Sequence, residues 1–114
     1  MTTQTFHYEV AETTDEHGWL TTTIHCHGRF VTENTDDFRG LVHPLIMRGG
    51  HIILDFGDLD YLDSAGLGAI VGLKVTAINH GLSKLDLLNL TPRVKKLLTI
   101  TNLMQLFAGE NPGA

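Results

Sequence analysis

The chain has 114 residues, of which 42% are hydrophobic and 18% charged, a composition typical of a globular domain and too apolar for a disordered segment. Its formal net charge of −5 at pH 7 argues against nucleic-acid binding, which needs basic residues to neutralise phosphates. The single cysteine, Cys26, excludes an intrachain disulfide and any site built from several cysteines, such as an iron–sulfur centre.

The charge is unevenly distributed along the chain. Residues 1–63 hold three basic and eleven acidic residues, a net charge of −8, whereas residues 64–114 hold five basic and two acidic residues, a net charge of +3. The N-terminal residues show no signal peptide, and the longest apolar stretch, from Leu67 to Val75, is too short to span a bilayer. We therefore expect one cytoplasmic domain formed by residues 1–114.

Alternating apolar and polar residues predict a β-hairpin at the start of the chain. The alternation runs through residues 6–10 and returns in residues 19–30, and the polar segment between them ends in Gly18 and predicts the turn. Gly28 interrupts the second strand and indicates a bulge or the end of that strand.

The middle of the chain predicts a helix and then a buried strand. The helix follows Asn34-Thr35, either of which can cap it, and ends before Gly49-Gly50. Residues 52–54 form a continuous apolar run, which indicates a strand covered on both faces, as in a parallel sheet. Residues 57–62, rich in aspartate and glycine, are predicted to form a loop.

The last third of the chain predicts two helices and two strands. Residues 64–80 have the strongest helical pattern, residues 85–90 form a short strand, Thr91-Pro92 begin a third helix, and residues 103–107 form a last strand. The resulting order, ββαβαβαβ, predicts an α/β fold in which crossover connections make the later strands parallel. We expect a small mixed β-sheet with helices packed mainly on one face.

The segment from Asp55 to Gly68 carries most of the chemical information. It leads from a predicted strand, through a loop bearing Asp58 and Asp60, to Asp63-Ser64 at the start of a helix. One serine hydroxyl is thereby placed at a strand-to-helix turn, on the edge where α/β sheets bind their ligands.

Ser64 and its neighbours allow four interpretations. A nucleophilic elbow, G-x-S-x-G, is rejected because Leu62 replaces the first glycine and no base is evident. A dinucleotide motif, G-x-G-x-x-G, is rejected because Val71 replaces the third glycine. Two interpretations stay open: a phosphorylatable serine, and an Asp63-Ser64 pair that only caps the helix, which is the commonest role of an isolated pair.

The wider pattern resembles the STAS domain family, which includes anti-sigma factor antagonists and the tails of sulphate transporters. The resemblance rests on Ile52-Ile-Leu-Asp-Phe56, on Tyr61-Leu-Asp-Ser-Ala-Gly-Leu-Gly68 and on Leu90-Thr-Pro-Arg-Val-Lys-Lys-Leu97. It implies a STAS-like domain without enzymatic activity and without a cofactor. ATP and Mg²⁺ would belong to a partner kinase.

In antagonists of this family, the serine directly after the aspartate is phosphorylated by the partner anti-sigma factor, a serine-protein kinase. The resemblance therefore implies that Ser64 is the phosphoacceptor and that Asp63 orients the turn. The unphosphorylated chain would bind the anti-sigma factor and free sigma, and phosphorylation would reverse the binding. The implied partner-binding surface is formed by Asp63, Ser64, Ala65, Gly66, Leu67 and Gly68.

A phosphate on Ser64 adds about −1.5 to −2 charges, and a helix N-terminus tolerates them. Because aspartates precede the serine, we expect the phosphate to deepen a negative patch and to block docking by charge and bulk, without unfolding the domain. Gly66 and Gly68 have two equally weighted interpretations: close approach of a partner, or tight packing of the helix on the sheet.

The sequence departs from the antagonist pattern mainly after the second strand, with a milder change at Thr101-Asn102-Leu103. Many antagonists carry an acidic residue after the second strand, where this chain has Gly28-Arg-Phe-Val31. An alternative function therefore stays open: a constitutive STAS scaffold or accessory subunit of a stress-signalling or lipid-transport complex, which no kinase switches.

The remaining polar clusters are predicted to hold no metal. His25 and His27 share a strand face with His7 nearby, but we expect no carboxylate on that face and interpret them as solvent-facing side chains. The remaining charged groups are predicted to be capping or solvated residues: Asp58, Asp60 and Asp63 before the helix, and Arg93, Lys95 and Lys96 on the third helix.

Overall fold

The computed structural model describes residues 5–108 and confirms the mixed α/β architecture. The strands are His7–Thr14 (β1), Leu20–Phe30 (β2), Gly50–Leu62 (β3) and Ser83–Leu88 (β4). The α-helices are Thr35–Arg48 (α1), Ser64–His80 (α2), Pro92–Ile100 (α3) and Met104–Ala108 (α4), and a 3-10 turn, Thr32–Asn34, joins β2 to α1. No helix within residues 5–108 is both long and apolar enough to cross a membrane.

The strands form one four-stranded sheet in the order β1-β2-β3-β4. β1 and β2 pair antiparallel, as the predicted hairpin requires, and His7 lies opposite His27. β2 pairs with β3 and β3 with β4 in parallel, because α1 and α2 each return the chain to the same end of the sheet. The carboxyl ends of β2 and β3 therefore meet at one edge, where α2 begins.

The core lies on one face of this sheet, between the strands and the helices. Inward-facing side chains of β2 and β3, such as Ile24 and Leu54, are completely buried, and the rings of Phe30 and Phe38 pack at 4.9 Å between centroids. The other face of the sheet has no helix among the described residues. Ile53, which lies on that face, is only partly buried, so the prediction of a strand covered on both faces is wrong.

β3 is much longer than predicted, because residues 57–62 continue the strand and do not form a loop. Glycine and aspartate have low strand propensity, but pairing with β2 outweighs that preference. The pairing accommodates two irregularities, one between His25 and His27 and one between Gly28 and Arg29. Each irregularity adds one residue on β3, and the second lies beside Gly28, where the sequence indicated a bulge or a strand end and where φ is 87°.

The predicted last strand over residues 103–107 is wrong, because the chain forms α4 there. The apolar residues Leu103, Met104, Leu106 and Phe107 recur at the three- and four-residue spacing of a helix, and Phe107 is buried. The preceding turn is formed by Thr101 and Asn102, and the φ of 59° at Asn102 reverses the chain directly after α3. The observed order within residues 5–108 is ββαβαβαα.

Candidate functional site

The turn from β3 into α2 is held by the carboxylate of Asp63, the N-cap of α2. Its Oδ1 accepts a hydrogen bond of 2.7 Å from the Gly66 N–H. Its Oδ2 accepts hydrogen bonds from Thr32, at 3.0 Å from the backbone N–H and at 3.2 Å from the hydroxyl. Asp63 therefore caps the helix and also ties it to the segment that leaves β2.

These hydrogen bonds fix the protonation state of Asp63. Burial alone would raise the pKa of the carboxyl, but the hydrogen bonds from Gly66 and Thr32 outweigh burial and lower the pKa below its ordinary value. The group is therefore an anion at neutral pH, with both oxygens engaged by donors of the protein. The carboxylate therefore positions the turn between β3 and α2.

Ser64 is the first residue of α2 and is exposed. Its hydroxyl makes no hydrogen bond to any residue in the part of the chain that the structure describes. The first N–H groups of a helix lack partners within the helix, and the helix dipole places partial positive charge there. An accessible hydroxyl thus lies at a helix end that favours negative charge.

The two glycines of the motif have different surroundings. A Cβ atom at Gly66 would lie 2.8 Å from the Phe30 carbonyl oxygen and 2.8 Å from Leu62 Cδ1, so only glycine lets α2 approach the strands this closely. A Cβ atom at Gly68 would have no atom within 4 Å. Gly66 therefore serves tight packing of the helix on the sheet. Gly68 lies on an open surface, which leaves room for the close approach of a partner.

A groove of about 430 Å³ runs from Ser64 to α3. Its walls are mainly apolar, and Ile100 on its rim is 68% exposed. Of the six residues predicted to bind a partner, Asp63, Ser64 and Leu67 line the groove, while Ala65, Gly66 and Gly68 do not. The lining residues are Tyr61, Leu62, Asp63, Ser64, Leu67, Arg93, Lys96, Leu97, Ile100 and Thr101.

The charge around Ser64 differs from the expected negative patch. Arg93 and Lys96, predicted as part of a solvated basic face, are exposed but line the same groove as Ser64. Asp58 instead directs its carboxylate to the Nδ1 of His27, at 2.9 Å. Sequence reasoning missed this arrangement because α3 reaches the groove only through tertiary packing.

The segment that departs from the antagonist pattern lies at the same edge. The Val31 N–H donates to Asn34 Oδ1 at 3.0 Å, so the Asn34 side chain is bonded within the 3-10 turn and makes no side-chain cap on α1. The next residue, Thr32, binds Asp63. Sequence reasoning also missed Thr32, since a threonine in a polar segment carries no signal of its own.

The open face of the sheet carries a second cluster, which corrects the prediction that no carboxylate joins the histidines. The Nδ1 atom of His25 lies 3.0 Å from Asp55 Oδ2 across the β2–β3 pair. The Nε2 atom of His51 lies 2.7 Å from Asp86 Oδ2 across the β3–β4 pair. The register places Asp55 directly opposite His25, whereas Asp86 lies opposite Ile53 and contacts His51 diagonally.

His27 has two carboxylate neighbours. Its Nε2 atom lies 2.8 Å from Oε1 of Glu9 on β1, and its Nδ1 atom lies 2.9 Å from Oδ2 of Asp58 on β3. The hydrogen bond with Glu9 is the main cause that raises the pKa of His27 above its ordinary value, and that with Asp58 adds to it. Cys26 is buried in the core, and burial followed by the charge of Asp55 raises its thiol pKa to about 12.

Comparisons of this chain with a family model and with a curated relative agree on one domain family. A family model described as the STAS domain matches residues 8–111. A STAS-domain containing protein from Pseudomonas aeruginosa is 33% identical over 85 residues, which cover 75% of this chain and 83% of the relative.

Solved structures share the fold at lower identity. The anti-sigma factor antagonist SpoIIAA in its unphosphorylated form is 23% identical with a TM-score of 0.71, covering 89% of this chain and 85% of that protein. The phosphorylated form of SpoIIAA from Bacillus gives a TM-score of 0.68 at 22% identity, covering 89% and 88% of the two chains. The murine anion transporter Slc26a9 gives 0.66 at 16% identity, covering 86% of this chain and 18% of the transporter.

Proposed function

The chain belongs to the STAS domain family, and from this premise we propose that it is an anti-sigma factor antagonist that a serine kinase switches at Ser64. The observation that carries the proposal is the exposed Ser64 hydroxyl at the N-terminus of α2, on the rim of an apolar groove. SpoIIAA, which shares the fold, is an anti-sigma factor antagonist with a phosphorylated form. An antagonist of this kind would have no enzymatic activity of its own and would act in the cytoplasm.

The proposed docking surface is the groove between Ser64 and α3. Burial of its apolar walls, including the exposed Ile100, would supply the binding free energy, since apolar area removed from water contributes about 25 cal/mol per Å². Arg93 and Lys96 would favour a partner with acidic residues around its apolar contact over one with a neutral surface.

Phosphorylation would then act on docking and not on the fold. A phosphate on Ser64 would add about −1.5 to −2 charges at the N-terminus of α2, where the helix dipole favours an anion. The same charge would counteract Arg93 and Lys96 and would have to be desolvated when the partner covers the groove. The partner would therefore leave while the domain stays folded.

The experiment that tests the proposal is intact-mass spectrometry after incubation with the cognate anti-sigma kinase, ATP and Mg²⁺. We expect one added phosphate on the wild-type chain and on Ser83→Ala, and none on Ser64→Ala. Ser83 is the only other serine in the sequence and therefore the matched control. A wild-type chain that binds the kinase but gains no phosphate contradicts the switch and supports the constitutive scaffold.

The docking surface has its own test, the affinity of unphosphorylated variants for the same anti-sigma factor. Lys95 and Lys96 are adjacent and both exposed, but only Lys96 lines the groove. We expect Lys96→Glu and Ser64→Asp to weaken binding at least tenfold and Lys95→Glu to leave it unchanged. Equal affinities for Lys95→Glu and Lys96→Glu would place the interface elsewhere, and circular dichroism checks that Ser64→Asp is folded.

A further inference from the structure

Two histidines and a glutamate lie together on the open face of the β1–β2 hairpin, away from the helices. His7 and His27 are direct partners in the antiparallel register, and Glu9 lies two residues beyond His7 on the same face of β1. The two imidazole rings stack at 4.7 Å between centroids with an interplanar angle of 14°. One potential ligand atom from each of the three residues lies within 4.8 Å of the others.

The second nitrogen of each imidazole is already oriented by an outer partner. Nδ1 of His27 lies 2.9 Å from Asp58 Oδ2, while its Nε2 faces Glu9 Oε1 at 2.8 Å. Nδ1 of His7 lies 3.3 Å from the Thr5 carbonyl oxygen, which leaves its Nε2 as the available ligand atom. Histidines that bind metals characteristically donate the other ring N–H to a carboxylate or a backbone carbonyl.

We propose that His7, Glu9 and His27 bind a Zn²⁺ ion, with Asp58 as the outer partner that orients His27. Zn²⁺ accepts imidazole nitrogen and carboxylate oxygen in tetrahedral sites, and three protein ligands leave a fourth position for water. The two Nε2 atoms and one Glu9 oxygen supply these three ligands. Mg²⁺ is not expected to bind, because it requires octahedral oxygen coordination.

Bound zinc would connect β1 to the rest of the sheet. Every residue of β1 is exposed, and β1 is an edge strand, so its pairing with β2 is the main contact that holds it. An ion bridging His7 and Glu9 of β1 to His27 of β2 would stabilise this pairing, and a ligand that binds only the folded chain raises the thermal midpoint.

Isothermal titration of the untagged, chelator-treated full chain with ZnCl₂ tests the site. We expect one zinc ion per chain, at least tenfold weaker binding in His27→Gln and Glu9→Gln, and about tenfold or more in Asp58→Asn, the size typical of lost outer partners. His17→Gln and His43→Gln are matched controls at exposed histidines outside the cluster and should bind as the wild type does. MgCl₂ should give no binding.

A second measurement guards against variants that fail to fold. Zinc should raise the thermal midpoint of the wild type and of His43→Gln, but not that of His27→Gln, and circular dichroism without zinc should be the same for all three. A wild type that binds no zinc overturns the proposal. So does a His27→Gln chain, folded by circular dichroism, that binds zinc as tightly as the controls.

Discussion

The carboxyl edge of the sheet and its open face are both rich in charge, but their charged groups are held differently. At the carboxyl edge, the carboxylate of Asp63 accepts hydrogen bonds from the backbone N–H groups of Gly66 and Thr32. On the open face, side chains pair with side chains across neighbouring strands, as His25 does with Asp55. The first region is therefore held mainly through the backbone, whereas the second consists mainly of pairs between side chains, to which Asp55 adds one backbone hydrogen bond from the Gly57 N–H.

This difference indicates what each region can do. A turn fixed by the backbone presents Ser64 and the adjacent groove in one geometry, which a docking surface requires. Exposed pairs contribute little to stability, because solvent screens them, but their side chains can rearrange around a ligand. We therefore expect substitutions at the carboxyl edge to change the free energy of unfolding. Substitutions on the open face should change mainly the affinity for a ligand that binds there.

The largest expected effect comes from the two glycines of α2. Gly66→Ala would place a Cβ atom 2.8 Å from the Phe30 carbonyl oxygen, and we expect it to lower the free energy of unfolding by about 1–3 kcal/mol, the usual cost of overpacking. The Cβ atom of Gly68→Ala would have no atom within 4 Å. This substitution should raise the free energy of unfolding by about 0.5–1 kcal/mol, because alanine favours the helix.

Urea denaturation of both variants measures this contrast. Since both changes add one methyl group to the same helix, the difference between them isolates the contact with the strands. Equal stabilities for the two variants would show that α2 does not pack against Phe30 as closely as described. Close packing would then not require a glycine at position 66.

The next effect in size comes from the cap. Asp63→Ala removes the acceptor of the Gly66 and Thr32 N–H groups, and we expect a loss of about 1–2 kcal/mol at neutral pH. Folding lowers the pKa of Asp63, so its ionic contribution is present above the ordinary value of 3.8 and is lost as the pH falls through the lower folded-state value.

The pH dependence gives that prediction its control. Denaturation of the wild type and of Asp63→Ala should differ by a constant amount well above pH 3.8, and the difference should shrink below it. Ser83→Ala, which leaves this carboxylate intact, should follow the wild-type pH dependence. A difference that grows on acidification would mean that folding raises the pKa of Asp63.

The contiguous part of the carboxyl edge could be predicted from the sequence, because the N-cap, the serine and the first turn of α2 are neighbours in the chain. The groove could not, because Arg93 and Lys96 belong to α3 and reach Ser64 through tertiary packing. The contact between His27 and Asp58 could not be predicted for a related reason. Strand propensity ends the third strand before Asp58, whereas pairing with β2 extends it and sets the register that brings Asp58 to His27.

The fold was predicted down to the order and type of its first seven major elements, and the phosphorylation of Ser64 stays a prediction. The error at the last element has a physical cause. A short apolar segment such as residues 103–107 is compatible with both periodicities, and burial of Phe107 against the rest of the domain, with its ring 5.7 Å from the Lys74 ammonium, decides for the helix.

The smallest effect is expected on the open face and compares two halves of one pair. His25→Gln should change the free energy of unfolding by less than about 1 kcal/mol, because the imidazole is 43% exposed and Asp55 keeps hydrogen bonds from the Gly57 N–H and from Asn89. Asp55→Ala removes the partner of that backbone N–H and should cost more than His25→Gln. If urea denaturation gives the opposite order, exposed side-chain pairs hold this face as firmly as backbone hydrogen bonds hold the carboxyl edge. The distinction between the two regions would then fail, because it rests on backbone N–H groups being stronger partners of a carboxylate than exposed side chains are.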